Sequence, residues 1–199
     1  MWYSLHGFIH DFKAIDDYMK TDFQDVIRED MESYFFIRYW LGGPHVRLRF
    51  KCKEQDYQII KDRFEASITR FITHHPINLI NYDHFYQAEM LENENITETY
   101  WCEHGSVAEF QYEPEYNRYG GIEGMCKSED VFYESSVMAN QLNQLPFGKR
   151  IIAGLDLIYL SFQHIDEKED IYQKYADFWK VYHQDGYTLE RYELYLSNG

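Results

Sequence analysis

Groups able to bind an anion recur at every second position of the segment His45–Lys51. His45, Arg47, Arg49 and Lys51 alternate with apolar residues, and alternate side chains of a β-strand share one face. These four cationic or titratable groups are therefore predicted to lie side by side. Guanidinium groups bind carboxylates and phosphates through paired hydrogen bonds. The spacing thus indicates an anion-binding surface.

The charge of this region is opposite to that of the rest of the chain. The protein has 199 residues, of which 34 are acidic and 19 basic, giving a formal net charge of −15. The range 34–53 nevertheless contains no Asp or Glu. Its positive charges are Arg38, Arg47, Arg49, Lys51 and Lys53. The overall acidity argues against a broad nucleic-acid surface, so any bound anion must meet this local positive patch.

A hairpin is predicted to present the patch. The loop Leu41–Pro44 separates two strand-like runs, so Trp40 should pair with His45, and Arg38 with Arg47. Like charges placed opposite each other destabilise a sheet. They are tolerated where a ligand or internal acidic residues compensate them. An anion site and a face laced with internal salt bridges are both consistent with this pattern.

His45 has two interpretations within this hairpin. Beside Arg47 and Arg49 its imidazolium form is disfavoured, so His45 should be neutral at pH 7 and able to accept a proton. It is equally suited to be a hydrogen-bonding member of the hairpin mouth.

A second segment, YEPEYNRYGGIEGM at residues 112–125, also contains groups suited to chemistry. Arg118 and Tyr119 precede Gly120 and Gly121, and paired glycines permit positive φ and close backbone approach. A turn with Arg118 bound to a neighbouring glutamate is the simple structural interpretation. The Tyr119 hydroxyl is able to donate to an oxyanion, although packing is the commoner role for such a residue.

The elements that must position these residues form an α+β arrangement. Hydrophobic periodicity predicts strands at Trp2–Ile9, Ser33–Trp40, His45–Cys52 and Val107–Tyr112, and helices at 12–27 and 54–74. This order is that of a ferredoxin-like strand–helix–strand–strand–helix–strand unit. Helical patterns at 127–145, 149–165, 167–184 and 188–196 predict a helical C-terminal region. Residues 1–199 are interpreted as a single domain, with a sheet part at 1–124 and a helical part at 125–199.

Composition excludes several classes of protein. No run of about 18 apolar residues is present, so no transmembrane helix is expected, and the N-terminus lacks the features of a signal peptide. The three cysteines, Cys52, Cys102 and Cys126, are odd in number and widely spaced, which indicates reduced thiols and a cytoplasmic protein. The histidines show no metal-ligand spacing, and no phosphate-binding glycine loop is present. Neither a metal nor a cofactor is expected.

Three motifs together indicate a family. FFIRYWLGGPHVRLRF at 35–50, YEPEYNRYGG at 112–121 and SEDVFYESS at 128–136 strongly resemble the C-terminal domain of lantibiotic dehydratases, the thiopeptide-type bacteriocin biosynthesis proteins. The family pattern is R-Y, a short Gly/Pro loop, H-x-R-x-R, then E-x-x-R-Y-G-G and a helix with E-x-x-F-x-x-S. The resemblance covers roughly residues 1–165.

The resemblance implies a lyase acting on a ribosomal peptide. In these dehydratases a separate large domain transfers glutamate from glutamyl-tRNA to Ser or Thr, and the C-terminal domain eliminates it to leave a dehydroamino acid. For this chain it implies a stand-alone elimination subunit that works with a precursor peptide and a separate glutamylating subunit. The catalytic residues would be Arg47, Arg49, Arg118, His45 and His164, and the substrate-binding residues would be Arg38, Lys51 and Tyr119.

The chain departs from the family pattern in two respects. No glutamylating domain is expected from these 199 residues. The late family histidine lies in an S-x-x-H-M segment, to which Ser161–Ile165 is similar, but this segment occurs early in the chain. His164 is therefore interpreted either as the base or as an ordinary helix-end histidine. A pyridine-forming cyclase of a thiopeptide pathway and a non-catalytic peptide-binding subunit are the alternatives. An aromatic-rich domain of this kind commonly needs a partner surface, in a homodimer or with another protein.

Overall fold

The computed structural model describes residues 1–93, 96–162 and 173–174. The chain divides into two compact units, Met1–Pro146 and Phe147–Gly199. The second unit contains the helix α5 (Phe147–Phe162). None of the described helices is long and apolar enough to cross a bilayer.

The first unit is built on one antiparallel sheet with the strand order β2-β3-β1-β4. Its elements along the chain are β1 (Trp2–Phe8), α1 (Phe12–Lys20), β2 (Ser33–Tyr39), β3 (His45–Lys51), α2 (Glu54–His74), α3 (Ala88–Asn93), β4 (Val107–Glu109) and α4 (Gly121–Asn143). The predicted α+β class with a helical C-terminal region is confirmed. The finer ferredoxin-like assignment stays a prediction, because α3 and a long irregular segment separate α2 from β4.

Several boundaries differ from those predicted. The first helix ends at Lys20 and is followed by a 3-10 turn at Asp22–Asp25, whereas the apolar periodicity continues to residue 27. The helix α4 begins at Gly121, directly after Gly120 in the left-handed region with φ 78°. The predicted helices at 167–184 and 188–196 lie outside the described residues, apart from the helical pair 173–174.

The register of the β2–β3 hairpin differs from the predicted one. Tyr39 lies opposite His45 and Ile37 opposite Arg47. The predicted pairings of Trp40 with His45 and of Arg38 with Arg47 are therefore wrong. The connection is one residue longer than the expected loop, because Trp40 belongs to the turn that contains two glycines with positive φ. A shift of one residue moves a side chain to the other face of the sheet.

The two faces of the sheet have opposite character. One face buries Leu5, Val46, Leu48 and Phe50, which belong to a continuous apolar core with residues of α1 and α2. The other face has His45, Arg47, Arg49 and Lys51 on β3. This division follows from the strict alternation of apolar and polar residues along β3. The apolar face anchors the sheet, and the other face is left for the functional site.

The helix α4 packs against the outer edge of β2. The backbone N–H of Phe36 donates to Ser136 Oγ at 3.2 Å. The Phe35 and Phe132 ring centroids lie 5.2 Å apart, and Tyr34 packs edge-on against Tyr133. Coverage of an edge strand limits its pairing with other chains. The SEDVFYESS segment thus contributes directly to the surroundings of the hairpin.

A bidentate ion pair fixes α2 to the loop before β2. Both terminal nitrogens of Arg63 donate to the Asp30 carboxylate at 2.7 Å, and Arg63 Nε donates to the Val26 carbonyl at 3.0 Å. The hydrogen bonds from Arg63 hold the pKa of Asp30 below its usual range.

Replacing Asp30 with Asn is expected to reduce the free energy of unfolding at pH 7 by about 1–3 kcal/mol, because a charge-assisted pair is lost. A carboxylate whose folded pKa is depressed stabilises the protein above its unfolded pKa of about 4, and this stabilisation is lost as the pH falls through the folded pKa. Urea denaturation of both proteins at pH 7 checks this reduction, and equal free energies of unfolding would contradict the assignment.

Candidate functional site

A pocket of about 400 Å³ opens on the polar face of the sheet. It lies between β2, β3, the segment 112–119 and α4. Its cationic residues are Arg47, Arg49 and Arg118, its acidic residues are Glu113 and Glu115, and its aromatic residues include Phe35, Tyr39, Tyr112, Tyr119 and Phe132. The pocket thus brings together four of the residues predicted from the sequence, namely the three arginines and Tyr119.

Arg47 is held by two neighbours. Its guanidinium carbon lies 3.6 Å from the centroid of the Tyr39 ring, and its Nε donates to His45 Nε2 at 3.1 Å. Burial lowers the pKa of Arg47 below its ordinary value, which still leaves the group charged at neutral pH. Arg47 is therefore a positioned and partly desolvated cation.

Arg49 is enclosed by aromatic rings. Its guanidinium carbon lies 5.5 Å from the Phe35 ring centroid and 5.1 Å from that of Tyr112. Its Nε is buried and has no hydrogen-bond partner within the described parts of the chain. Burial also lowers the pKa of Arg49. A buried donor without a partner is costly, so Arg49 would gain from an anionic acceptor.

The acidic residues near the site do not neutralise these two arginines by ion pairing. Glu115 binds the exposed Arg118 at 3.1 Å. Across residues 1–93 and 96–162, no carboxylate forms an ion pair with Arg47 or Arg49. The explanation by internal salt bridges therefore does not account for the central pair of cations.

Internal salt bridges do account for the other two cations of the hairpin, Arg38 and Lys51. Arg38 lies on the other face of the sheet, where it forms an ion pair with Asp16 of α1. Lys51 Nζ lies 3.2 Å from a carboxylate oxygen of Glu129. Neither Arg38 nor Lys51 lines the pocket. Their substrate-binding roles remain predictions that the geometry of the pocket does not support.

Glu129 links three parts of the site. Its carboxylate accepts hydrogen bonds from Lys51 Nζ at 3.2 Å and from the Tyr112 hydroxyl at 3.1 Å, and its side chain is only 9% exposed. Burial, with the Glu129 charge, raises the pKa of Tyr112. Because Tyr112 in turn lies against Arg49, Glu129 of α4 fixes one wall of the pocket.

Replacing Glu129 with Gln is expected to lower the free energy of unfolding by about 1.5–3 kcal/mol, since a charged hydrogen bond is lost and Lys51 is left without its partner. Chemical denaturation measures this loss. The double variant Glu129→Gln, Lys51→Met is expected to recover part of it, because the unpaired ammonium is removed. An additive loss in the double variant would contradict a pairwise interaction.

His45 is fully buried and does not line the pocket. Its Nδ1–H donates to the Gly43 carbonyl at 2.7 Å, which leaves Nε2 to accept the hydrogen bond from Arg47. Burial, and further the Arg47 charge, lowers the pKa of His45 to about 4. The imidazole is thus neutral at pH 7, and its acceptor atom is already occupied by Arg47.

Sequence reasoning missed the stack of rings beneath the arginines. His6 of β1 lies between His45 and Phe110, with centroid distances of 4.9 and 4.2 Å, and burial lowers its pKa to about 2. The sequence also gave no indication that Tyr39 lies against Arg47. The alternation of side chains along β1 places His6 on the polar face. Which residues of β3 lie beside His6 can be known only from the observed register of the two strands.

Two further predictions concern a catalytic base and a metal site. His164, the candidate base, lies outside the described residues. In the described part of the chain, no group of three His, Cys, Asp or Glu residues is arranged to hold a metal ion.

The geometry can be compared with known proteins. The family model for the lantibiotic biosynthesis dehydratase C-terminal region matches residues 2–194. A search of curated protein sequences gives no significant match. Among solved structures, the pyridine synthase TbtD from thiomuracin biosynthesis is 14% identical over 77% of this chain and 49% of that chain, with a TM-score of 0.61. The chain thus spans about half the length of that protein.

Two other structures are less similar. The tRNA-dependent lantibiotic dehydratase MibB from Microbispora sp. 107891 is 19% identical over 73% of this chain and 12% of that chain, with a TM-score of 0.46. TsrL is 17% identical over 76% of this chain and 37% of that chain, with a TM-score of 0.47. The likeness to TbtD, with its TM-score of 0.61, is one of fold.

Proposed function

The chain belongs to the lantibiotic biosynthesis dehydratase C-terminal family, and we propose that it removes glutamate from glutamylated Ser or Thr residues of a ribosomal precursor peptide. The observation that carries this proposal is the pair of half-buried arginines, Arg47 and Arg49, which no acidic residue of the described chain neutralises by ion pairing. A glutamyl ester carries one carboxylate and develops a second as it leaves. Two guanidinium groups suit this change of charge.

The proposed reaction is a β-elimination. A base removes the proton from Cα of the modified residue, the electron pair of that bond forms the Cα=Cβ double bond, and the Cβ–O bond breaks. Glutamate leaves with both electrons of the broken bond as a carboxylate. Positively charged donors fixed where negative charge develops lower the barrier of such a step. Arg47 and Arg49 are the proposed donors, with Arg118 and Tyr119 at the rim of the pocket.

The base is proposed to be His164, whose segment resembles that of the family histidine. His45 was the other candidate, but its Nε2 already accepts the hydrogen bond from Arg47 at 3.1 Å. We therefore assign His45 to holding Arg47 in place. A separate glutamylating subunit and the precursor peptide are the proposed partners.

Mass spectrometry of a glutamylated, Ser-containing peptide incubated with the protein tests this function. The expected product has lost glutamate and, relative to the unmodified peptide, one water. The double variant Arg47→Ala, Arg118→Ala is expected to leave the peptide unchanged. Arg38→Ala, which removes a cation from the other face of the sheet, should retain activity and serves as the matched control.

The same experiment separates the alternatives. An unchanged mass with the wild-type protein would contradict elimination for that peptide. Conversion of a peptide that already contains two dehydroalanines to a ring-closed product would instead support the pyridine-forming cyclase. Binding without any change in mass would indicate a peptide-binding subunit.

A further inference from the structure

The outer edge of β2 has free hydrogen-bonding groups. Among the described strands β2 ends the sheet, so within this part of the chain one side of its backbone has no neighbouring strand. The N–H of Phe36 points to that side, because it donates to Ser136 Oγ of α4. Backbone groups of alternate residues point the same way, so the N–H and C=O of Arg38 also face outward. In the described part of the chain neither has a hydrogen-bond partner.

The helix α4 covers only the first half of this edge. Its side chains contact Tyr34, Phe35 and Phe36. Farther along the strand, Ile37 is 38% exposed. Within the described residues, about 10 Å of edge, from Ile37 to Tyr39, is therefore left accessible to an extended chain, at about 3.3 Å per residue.

The open edge adjoins the arginine pocket. The guanidinium of Arg47 lies over Tyr39, and that of Arg49 lies toward Phe35. Both rings belong to β2, and Ile37 lies between them on the same face of the sheet. A residue paired with Ile37 on an added strand would share this face. A long, anionic side chain at that position would reach between the two cations.

We propose that the substrate peptide binds as an added β-strand along Ile37–Tyr39, with its glutamylated residue opposite Ile37. The identity of this occupant rests on the proposed function. Backbone hydrogen bonds to Arg38 hold the peptide, and the guanidinium groups of Arg47 and Arg49 receive the glutamyl group. Strand addition provides affinity through main-chain groups, while pockets for alternate side chains provide specificity.

A proline substitution tests the backbone contact. Arg38→Pro removes the outward N–H, and an edge strand tolerates proline where that N–H faces solvent. Arg38→Ala keeps the N–H but loses the ion pair with Asp16, and is the matched control. The probe is an acetylated, amidated pentapeptide Ala-Ile-Xaa-Ile-Ala, in which Xaa is 2,3-diaminopropionate acylated by glutamate. Its amide link resists elimination, so that calorimetry reports binding alone.

Arg38→Pro is expected to weaken binding of this probe about tenfold, and Arg38→Ala less than twofold. N-methylation of each residue flanking Xaa provides a second test that needs no protein variant. At least one methylated probe should bind about tenfold more weakly than the unmethylated probe, because methylation blocks a hydrogen bond between the strands. Unchanged affinity of both methylated probes would overturn the proposal, whether or not Arg38→Pro folds.

The same peptide with an ester-linked glutamyl-serine distinguishes this proposal from the proposed function. Edge-dependent binding without release of glutamate would support the docking mode and contradict elimination. Release of glutamate with affinity unaffected by Arg38→Pro and by N-methylation would support elimination and overturn strand addition.

Discussion

Replacing Arg49 with Met is expected to reduce kcat/KM for glutamate release by about 100- to 1000-fold, the size of effect seen when one charge-stabilising donor is removed from an active site. Arg49 is the enclosed cation of the pocket, since its guanidinium lies between Phe35 and Tyr112 and its Nε has no partner in the described chain. The leaving carboxylate would supply that partner in the transition state. Steady-state release of glutamate from a glutamylated peptide measures the loss.

The Arg49→Met variant is expected to lose activity without losing stability. Methionine keeps an unbranched apolar side chain between the two rings, while the desolvated and unpaired charge is removed. The free energy of unfolding should therefore stay equal or rise by about 1 kcal/mol. An Arg38→Met variant, which removes a cation paired with Asp16, should keep its activity within about twofold. Full activity of Arg49→Met would contradict the role assigned to this residue.

Acid is expected to destabilise the first unit steeply between pH 6 and pH 5. His6, His10 and His45 are buried, and burial is the main cause that lowers their pKa values to about 2, 4 and 4. The charge of Arg47 acts in the same direction on His6 and His45, as does neighbouring His104 on His10. In the unfolded chain each histidine titrates near pH 6.5.

Stability falls with falling pH because the folded and unfolded protein bind different numbers of protons. Below pH 6.5 the unfolded chain binds protons that the folded protein does not accept, so stability falls as the pH falls toward the folded pKa values. With three such groups, the free energy of unfolding is expected to fall by about 4 kcal/mol for each unit by which the pH is lowered. Urea denaturation at half-unit steps of pH measures this slope.

A His45→Asn variant is expected to lose about one third of this slope, because one of the three buried titrating groups is removed. A slope that is the same in wild type and His45→Asn would show that His45 is not a buried neutral group.

The sequence was sufficient to predict the polar face of β3. His45, Arg47 and Arg49 share that face because side chains alternate along a strand. Their neighbours on β2 were not predictable with the same certainty, because the register depends on whether Trp40 belongs to the strand or to the turn. This one residue decides that Ile37 rather than Arg38 lies opposite Arg47.

The sequence also could not show which cations of β3 are paired with an acidic residue, because the partners are distant along the chain. Lys51 is neutralised by Glu129, which is 78 residues away along the chain. Only the packing of α4 against the sheet brings these two groups together. The sequence shows a row of equivalent cations, whereas the structure divides it into an ion-paired Lys51 and the pocket arginines Arg47 and Arg49.

The most direct test of the central proposal is the fate of the glutamyl oxygen atoms when a glutamylated Ser peptide reacts with the wild-type protein in water enriched in oxygen-18. Elimination breaks the Cβ–O bond, so the account predicts unlabelled glutamate and an equal amount of dehydroalanine peptide by mass spectrometry. Glutamate that carries oxygen-18, together with a restored Ser peptide, would instead show hydrolysis of the ester. That result would contradict the function proposed for the arginine pocket.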